Sequence, residues 1–259
     1  MKDMSTRNLI KKVEKLYDER IISSNDAVKA AGQWGTNEYV ALICDEIYKK
    51  VKIKKTDSVL ELGCGSGVLG KYIKERCHQY VGVDLSQKML NFFSEDSTLE
   101  QITLIQGITD LIPFSNHVFD IVIINGVTMY FPDDKILLDT LTEMKRVSKK
   151  DGTIFIGENI IPTDYAWEFT WFQNLSPKIQ LFAKNYIKIR RWFSKKNPKF
   201  AGKWKDTYKE ISPTLINQFF QNDATIHQSR AATYIVKKRI LGKKYKGSRR
   251  VDFLINLQQ

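Results

Sequence analysis

Several things are scarce in this chain. No apolar run approaches the roughly 20 residues that a membrane-spanning helix needs, and residues 1–7 lack the apolar stretch of a secretory signal. A cytoplasmic protein is therefore expected. The three cysteines, Cys44, Cys64 and Cys77, follow no pairing or ligand spacing. They fit structural thiols in a reducing compartment, and no metal is expected. Histidine is equally rare, with only His78, His117 and His227 to supply an imidazole. Acid is scarce locally. Residues 178–206 hold ten Lys or Arg against one acid, Asp206, and residues 237–250 hold eight and no acid. Because the whole chain carries only +12, the remainder is mildly acidic. Local positive charge of this kind attracts anionic partners or substrates.

What is present begins with Val59-Leu60-Glu61-Leu62-Gly63-Cys64-Gly65-Ser66-Gly67. A short apolar run ends in an acid, and glycines follow at alternate positions. Val68 to Ile73 can then start a helix. This reads as strand, tight turn, helix, a unit that brings backbone and a helix N-terminus close to a ligand. The spacing is not the dinucleotide fingerprint G-x-G-x-x-G, since Val68 stands at its last glycine. Tyr80-Val81-Gly82-Val83-Asp84 reads as a second strand ending in an acid, about 20 residues after the loop, where such folds place a carboxylate on ribose hydroxyls.

Together these units resemble the class I methyltransferases that use S-adenosylmethionine, from about Asp57 to Glu158. The resemblance implies an α/β fold: a doubly wound, seven-stranded, mostly parallel Rossmann-like sheet with an inserted helical cap. It implies S-adenosyl-L-methionine as cofactor and S-adenosyl-L-homocysteine as product. Gly63, Gly65 and Gly67 are then expected along the methionine–ribose part, Glu61 near the methionine amino group, and Asp84 on the ribose hydroxyls. Leu85 is expected against the adenine. The family often carries an acid after the glycine of the third strand, and this chain has Ile108 there. Adenine is then held by backbone at Ile108 and Thr109, or by Asp110. An N-terminal aromatic often touches the cofactor in this family, with Tyr17, Trp34 and Tyr39 as candidates.

Further strands are predicted at 102–106, 119–124, 152–158, 224–227 and 251–257. The run Phe119 to Ile124 is almost wholly apolar, as a parallel strand covered on both faces requires. It ends in Asn125 and Gly126, expected beside the reactive sulfonium together with Tyr130. Ser86 is a predicted N-cap, and residues 134–147 read as a helix. Expected units are 1–50, an N-terminal segment closing over the cofactor; 51–158, the cofactor-binding core; 159–210, an aromatic and basic cap; and 211–259, the rest of the sheet. Within the cap, Ile179, Phe182, Tyr186, Ile189 and Phe193 recur at helical steps, with basic residues on other faces. Packing onto the core, an anionic membrane or acidic substrate, and RNA are the alternative roles for that helix.

A hydroxyl acceptor needs a base. Glu158 and His227 are the catalytic candidates, and Tyr130, Tyr165 and Trp167 the substrate-binding ones. The leading expectation is methylation of oxygen or nitrogen on a small, partly apolar acceptor such as a lipid, polyketide, quinone-like ring or sugar. An RNA methyltransferase and a cofactor-binding protein without turnover are the alternatives.

Overall fold

The structure is a computed structural model that describes residues 4–22, 37–95, 102–162, 177–178, 181, 185, 209–221, 223–228 and 250–257. In chain order the elements are α1 (Met4–Ile22), α2 (Asn37–Val51), β1 (Ser58–Leu62), α3 (Val68–Ile73), β2 (Gln79–Asp84), α4 (Gln87–Ser94), β3 (Ile102–Gln106), β4 (Phe119–Asn125), α5 (Asp134–Val147), β5 (Ser148–Ile160), α6 (Pro213–Phe219), β6 (Ala224–Gln228) and β7 (Arg250–Asn256). A single turn of 3-10 helix, Thr128–Tyr130, follows β4.

The seven strands form one sheet in the order β3-β2-β1-β4-β5-β7-β6. Neighbours among β1 to β5 run parallel, and β7 lies antiparallel between β5 and β6. All seven predicted strands are present. β5 begins earlier than the expected Gly152, because its register with β4 jumps between Phe119 and Ile121. Lys150-Asp151-Gly152, at the predicted start, thus lies inside the strand rather than in a loop before it.

The period-2 alternation of a strand sorts the core into two layers. Leu60, Leu62, Val122, Ile124, Ile154 and Ile156 face α5 and α6. Val59, Ile121, Ile123 and Phe155 face α2, α3 and α4. Side-chain caps set the helix starts. The Ser86 hydroxyl accepts from the Met89 N–H at the head of α4, and Asp133 accepts from the Ile136 N–H at the head of α5. On the second layer, the Lys50 ammonium contacts Glu46 at 2.8 Å and Asp252 at 2.6 Å, tying α2 to β7. The loop after β1 is fixed by close packing. Gly67 has φ 80, and a Cβ there would lie 2.1 Å from Phe93 Cδ2.

The predicted cap lies mostly outside the described residues. Its ends are described: Ile161 is buried after β5, and the Lys209 N–H donates to the Met129 carbonyl at 2.8 Å on return.

Gly67→Ala combines an unfavourable φ with a clash, and is expected to lower stability by about 3 kcal/mol. Gly65→Ala, whose Cβ meets nothing within 4 Å, should cost about 1 kcal/mol. Urea titrations of the two variants check the difference.

Candidate active site

The ends of β1, β2, β3 and β4 open on one cavity of about 180 Å³, roofed by α1. Its floor is the glycine loop. Gly63 and Cys64 donate their N–H groups to the Val83 carbonyl at 2.7 and 3.1 Å, and Gly67 donates to Cys64 at 3.0 Å. The Gly65 N–H donates to Asp84 Oδ2 at 2.8 Å. The N–H groups of Gly63, Gly65 and Gly67 are therefore engaged within the protein. Gly63 and Gly65 line the cavity and allow close approach, whereas Gly67 does not line it and serves packing under Phe93.

Two buried carboxylates face this floor. Glu61, at the end of β1, accepts from the Tyr80 hydroxyl at 2.5 Å. Burial pushes its carboxyl up to about 8, against the downward pull of that hydroxyl. Asp84, at the end of β2, accepts from Gly65 and, through Oδ1, from the Ser86 N–H at 2.9 Å. Burial raises its pKa, and the backbone N–H groups oppose the rise.

Leu85, Ile108, Thr109, Asp110, Asn125, Gly126, Tyr130 and Tyr17 line the same cavity. The Thr109 hydroxyl pairs with that of Thr140 at 2.9 Å, which engages it with α5. Tyr17 meets Tyr130 edge to face, with centroids 5.7 Å apart, and the Arg20 guanidinium lies 4.8 Å from the Tyr17 centroid. Burial pushes the Tyr17 phenol well above its usual range, so its hydroxyl is a donor at neutral pH. Asn125 Oδ1 is buried without a hydrogen-bond partner.

The two catalytic candidates are not among the described residues that line this cavity. Glu158 is buried beside Gly157, does not line the cavity and pairs with Arg250 at 3.3 Å. Its N–H donates to Asp252 at 2.8 Å, which engages this φ 58 residue in a strand irregularity. His227 lies on the edge strand β6, with Nε2 3.3 Å from the Thr225 hydroxyl. β6 is three strands from β4, about 14 Å at the usual spacing. Trp34, Tyr165 and Trp167 lie outside the described residues. The sequence reading missed Ile10, Val13, Glu14, Val40, Ile43 and Cys44, which complete the lining from α1 and α2. The signal was the helical spacing of Ile10 and Val13 with Tyr17, of which only Tyr17 was taken as a cofactor contact.

A family model described as a methyltransferase domain matches residues 60–156. Over those residues the chain carries a methyltransferase domain. The demethylmenaquinone methyltransferase of Lactobacillus johnsonii is 30% identical over 176 residues, which are 65% of this chain and 64% of that protein. Among solved structures, geranyl diphosphate C-methyltransferase from Streptomyces coelicolor superposes with a TM-score of 0.61 at 14% identity, covering 96% of this chain and 97% of that one. Phosphoethanolamine N-methyltransferase 1 from Haemonchus contortus gives 0.64 at 13%, covering 97% and 49%. These likenesses agree with the sheet order.

The methyltransferase site suits S-adenosylmethionine. Added Cβ atoms at Gly65 and Gly126 meet open space, and Asn125 holds an orphaned acceptor. Asp84 can take ribose hydroxyls in charge-assisted hydrogen bonds, and Glu61 can take the methionine ammonium.

Asp84→Ala should weaken S-adenosylhomocysteine at least tenfold, about 2 kcal/mol, by calorimetric titration. Glu61 must be ionised to pair with the ammonium, and in the free site it is held by its proton below about pH 8. Binding below that pH must release the proton, so affinity should climb from pH 6 to pH 8. Glu61→Gln should flatten the climb.

Proposed function

We propose that the protein methylates a small, partly apolar acceptor on oxygen or nitrogen, with S-adenosylmethionine as donor. The observation that carries this reading is the roof of the cavity. Ile10, Val13, Val40, Ile43, Val127, Phe131 and Ile136 supply apolar side chains around it, and the Tyr17–Tyr130 contact closes it. A site so lined excludes water and suits an acceptor with an apolar body. The name of one relative, demethylmenaquinone methyltransferase, agrees with an acceptor that has an apolar body.

The cofactor, when bound, supplies an activated methyl group on a sulfonium. The chain's own residues bind and align. Glu61 holds the methionine ammonium and Asp84 the ribose, the glycine loop lets the cofactor approach the backbone, and Tyr17 with Tyr130 walls off solvent. Alignment of nucleophile, methyl carbon and leaving sulfur contributes much of the rate in such a displacement. Residues 159–210 act as a cap on the acceptor side. Support comes from their ends, since Pro162 follows β5 and Lys209 returns onto the turn that carries Tyr130. Lys209 also pairs with Asp134 at 2.6 Å, at the head of α5. Among the described residues no helix is long and apolar enough to cross a membrane.

An acceptor screen tests this reading. Purified protein is incubated with S-adenosylmethionine and, separately, quinols, prenylated phenols, polyketides, lipid amines, sugars and total RNA, and S-adenosylhomocysteine is quantified. Turnover confined to apolar small molecules is the expected result. Turnover on RNA that collapses between 50 and 200 mM salt would transfer the function to the basic stretches 178–206 and 237–250.

A further inference from the structure

Tyr80 is buried in β2, 1% exposed, and does not line the cavity. Its surroundings are nevertheless built around its oxygen. Val59 pairs with Tyr80 and Glu61 with Gly82, so phenol and carboxyl share one face of adjacent strands, one step apart. Gly82 places no side chain opposite Glu61, and a Cβ there would lie 2.8 Å from Cys64 Sγ. On α3, a Cβ at Gly70 would lie 2.5 Å from the Tyr80 hydroxyl. The ring meets Phe93 edge to face, with centroids 6.1 Å apart. Gly70 and Gly82 thus clear a path for the hydroxyl, Phe93 walls the ring, and the path ends 2.5 Å from Glu61 Oε2.

The hydroxyl matters because Glu61 has to change its charge. Burial pushes the Glu61 carboxyl up to about 8; the Tyr80 hydroxyl pulls it down, and the Asp84 charge adds to the rise. Two thiols also face it, Cys44 from α2 and Cys64 from the turn after β1. Burial pushes Cys44 up to about 12 and Cys64 well above its usual range, and it does the same to the Tyr80 phenol. All three are therefore neutral at neutral pH, and Tyr80 is the one that donates a hydrogen bond to Glu61. A hydroxyl bonds more strongly to a carboxylate than to a neutral carboxyl, because the first bond is charge-assisted. Tyr80 therefore favours the ionised form of Glu61.

Resting on the cofactor reading above, we infer that Tyr80 is a positioning residue for the donor. Its hydroxyl holds the Glu61 carboxyl in place and in the charged form that the methionine ammonium requires. Tyr80 acts through Glu61 and not by touching the ligand. Without the hydroxyl the ring still fills its place against Phe93, but Glu61 keeps its proton to higher pH, and a ligand must displace that proton at greater cost.

The test is binding, with no acceptor needed. Calorimetry with S-adenosylhomocysteine is run from pH 6 to pH 8.5 on wild type, Tyr80→Phe, Glu61→Gln and the double variant, alongside thermal melts. Tyr80→Phe should move the bend of the affinity curve up by about one pH unit. Its binding should be about tenfold weaker than wild type at pH 7 and about threefold weaker at pH 8.5, since the deficit closes as Glu61 ionises unaided. In the Glu61→Gln background the same change should cost less than about twofold at every pH. A packing role would weaken binding by one factor at every pH and persist in the Gln background; either result overturns the inference, as does an unchanged Tyr80→Phe curve. Should the wild type bind no S-adenosylhomocysteine, it is the cofactor reading that fails, and the inference with it. If Tyr80→Phe does not fold, the wild type decides. By nuclear magnetic resonance, the Cζ signal of Tyr80 should shift with pH through the Glu61 midpoint, about 8, and a signal indifferent to pH overturns the inference.

Discussion

The structure depends on two carboxylates kept at the ends of adjacent strands with no Lys, Arg or His among the described residues that line the cavity. Glu61 stands next to the end of β1, opposite Gly82, and Asp84 ends β2 two residues further on. Placing both in a covered site costs desolvation free energy, and the fold offsets it with dipoles rather than with charges: one tyrosine hydroxyl for Glu61, and two backbone N–H groups for Asp84. Neutralising them with lysine or arginine would stabilise the empty protein and remove its attraction for a cationic ligand. The glycine turn follows from the same constraint. The N–H groups of Gly63, Cys64, Gly65 and Gly67 are committed to Val83, Asp84 and Cys64, so these four are not offered to an anion. That suits a cofactor whose reactive end is positive.

Much of this was legible in the sequence because the signals were local. An apolar run ending in an acid, then glycines, marked β1 and its turn. Tyr80 to Asp84 marked β2, and the unbroken run from Phe119 to Ile124 marked the covered centre of the sheet. The caps Ser86 and Asp133 act within three residues of themselves, and Ser86 was readable as such. Glu61, Asp84, Asn125 and Gly126 were placed because strand ends in a parallel sheet share one edge.

What was not legible depends on packing between distant segments. Gly67 looks like its neighbours in the motif, and only the ring of Phe93, on another helix, shows that it answers to packing. Glu158 follows a strand at the correct end of the sheet, yet Arg250 and Asp252, nearly 100 residues later, engage it in the core. His227 is a plausible base until the sheet order puts it at the far edge. The apolar stripe of α1 was visible, but periodicity does not say whether a stripe meets protein or a cavity.

The antiparallel pair β7 and β6 has a consequence for how such a protein can diversify. Arg250 pairs with Ile160 and Gln228 with Val251. The chain therefore leaves β5, leaves β6 and enters β7 at the same edge of the sheet, the edge on which the cofactor cavity opens. Both long connections, 163–208 and 229–249, start and finish there. Lengthening a surface connection costs little, about 0.6 kcal/mol per doubling. Acceptor recognition can be rewritten in those two segments while β1, β2 and β4 keep the donor in place, so a change of substrate need not be a change of enzyme.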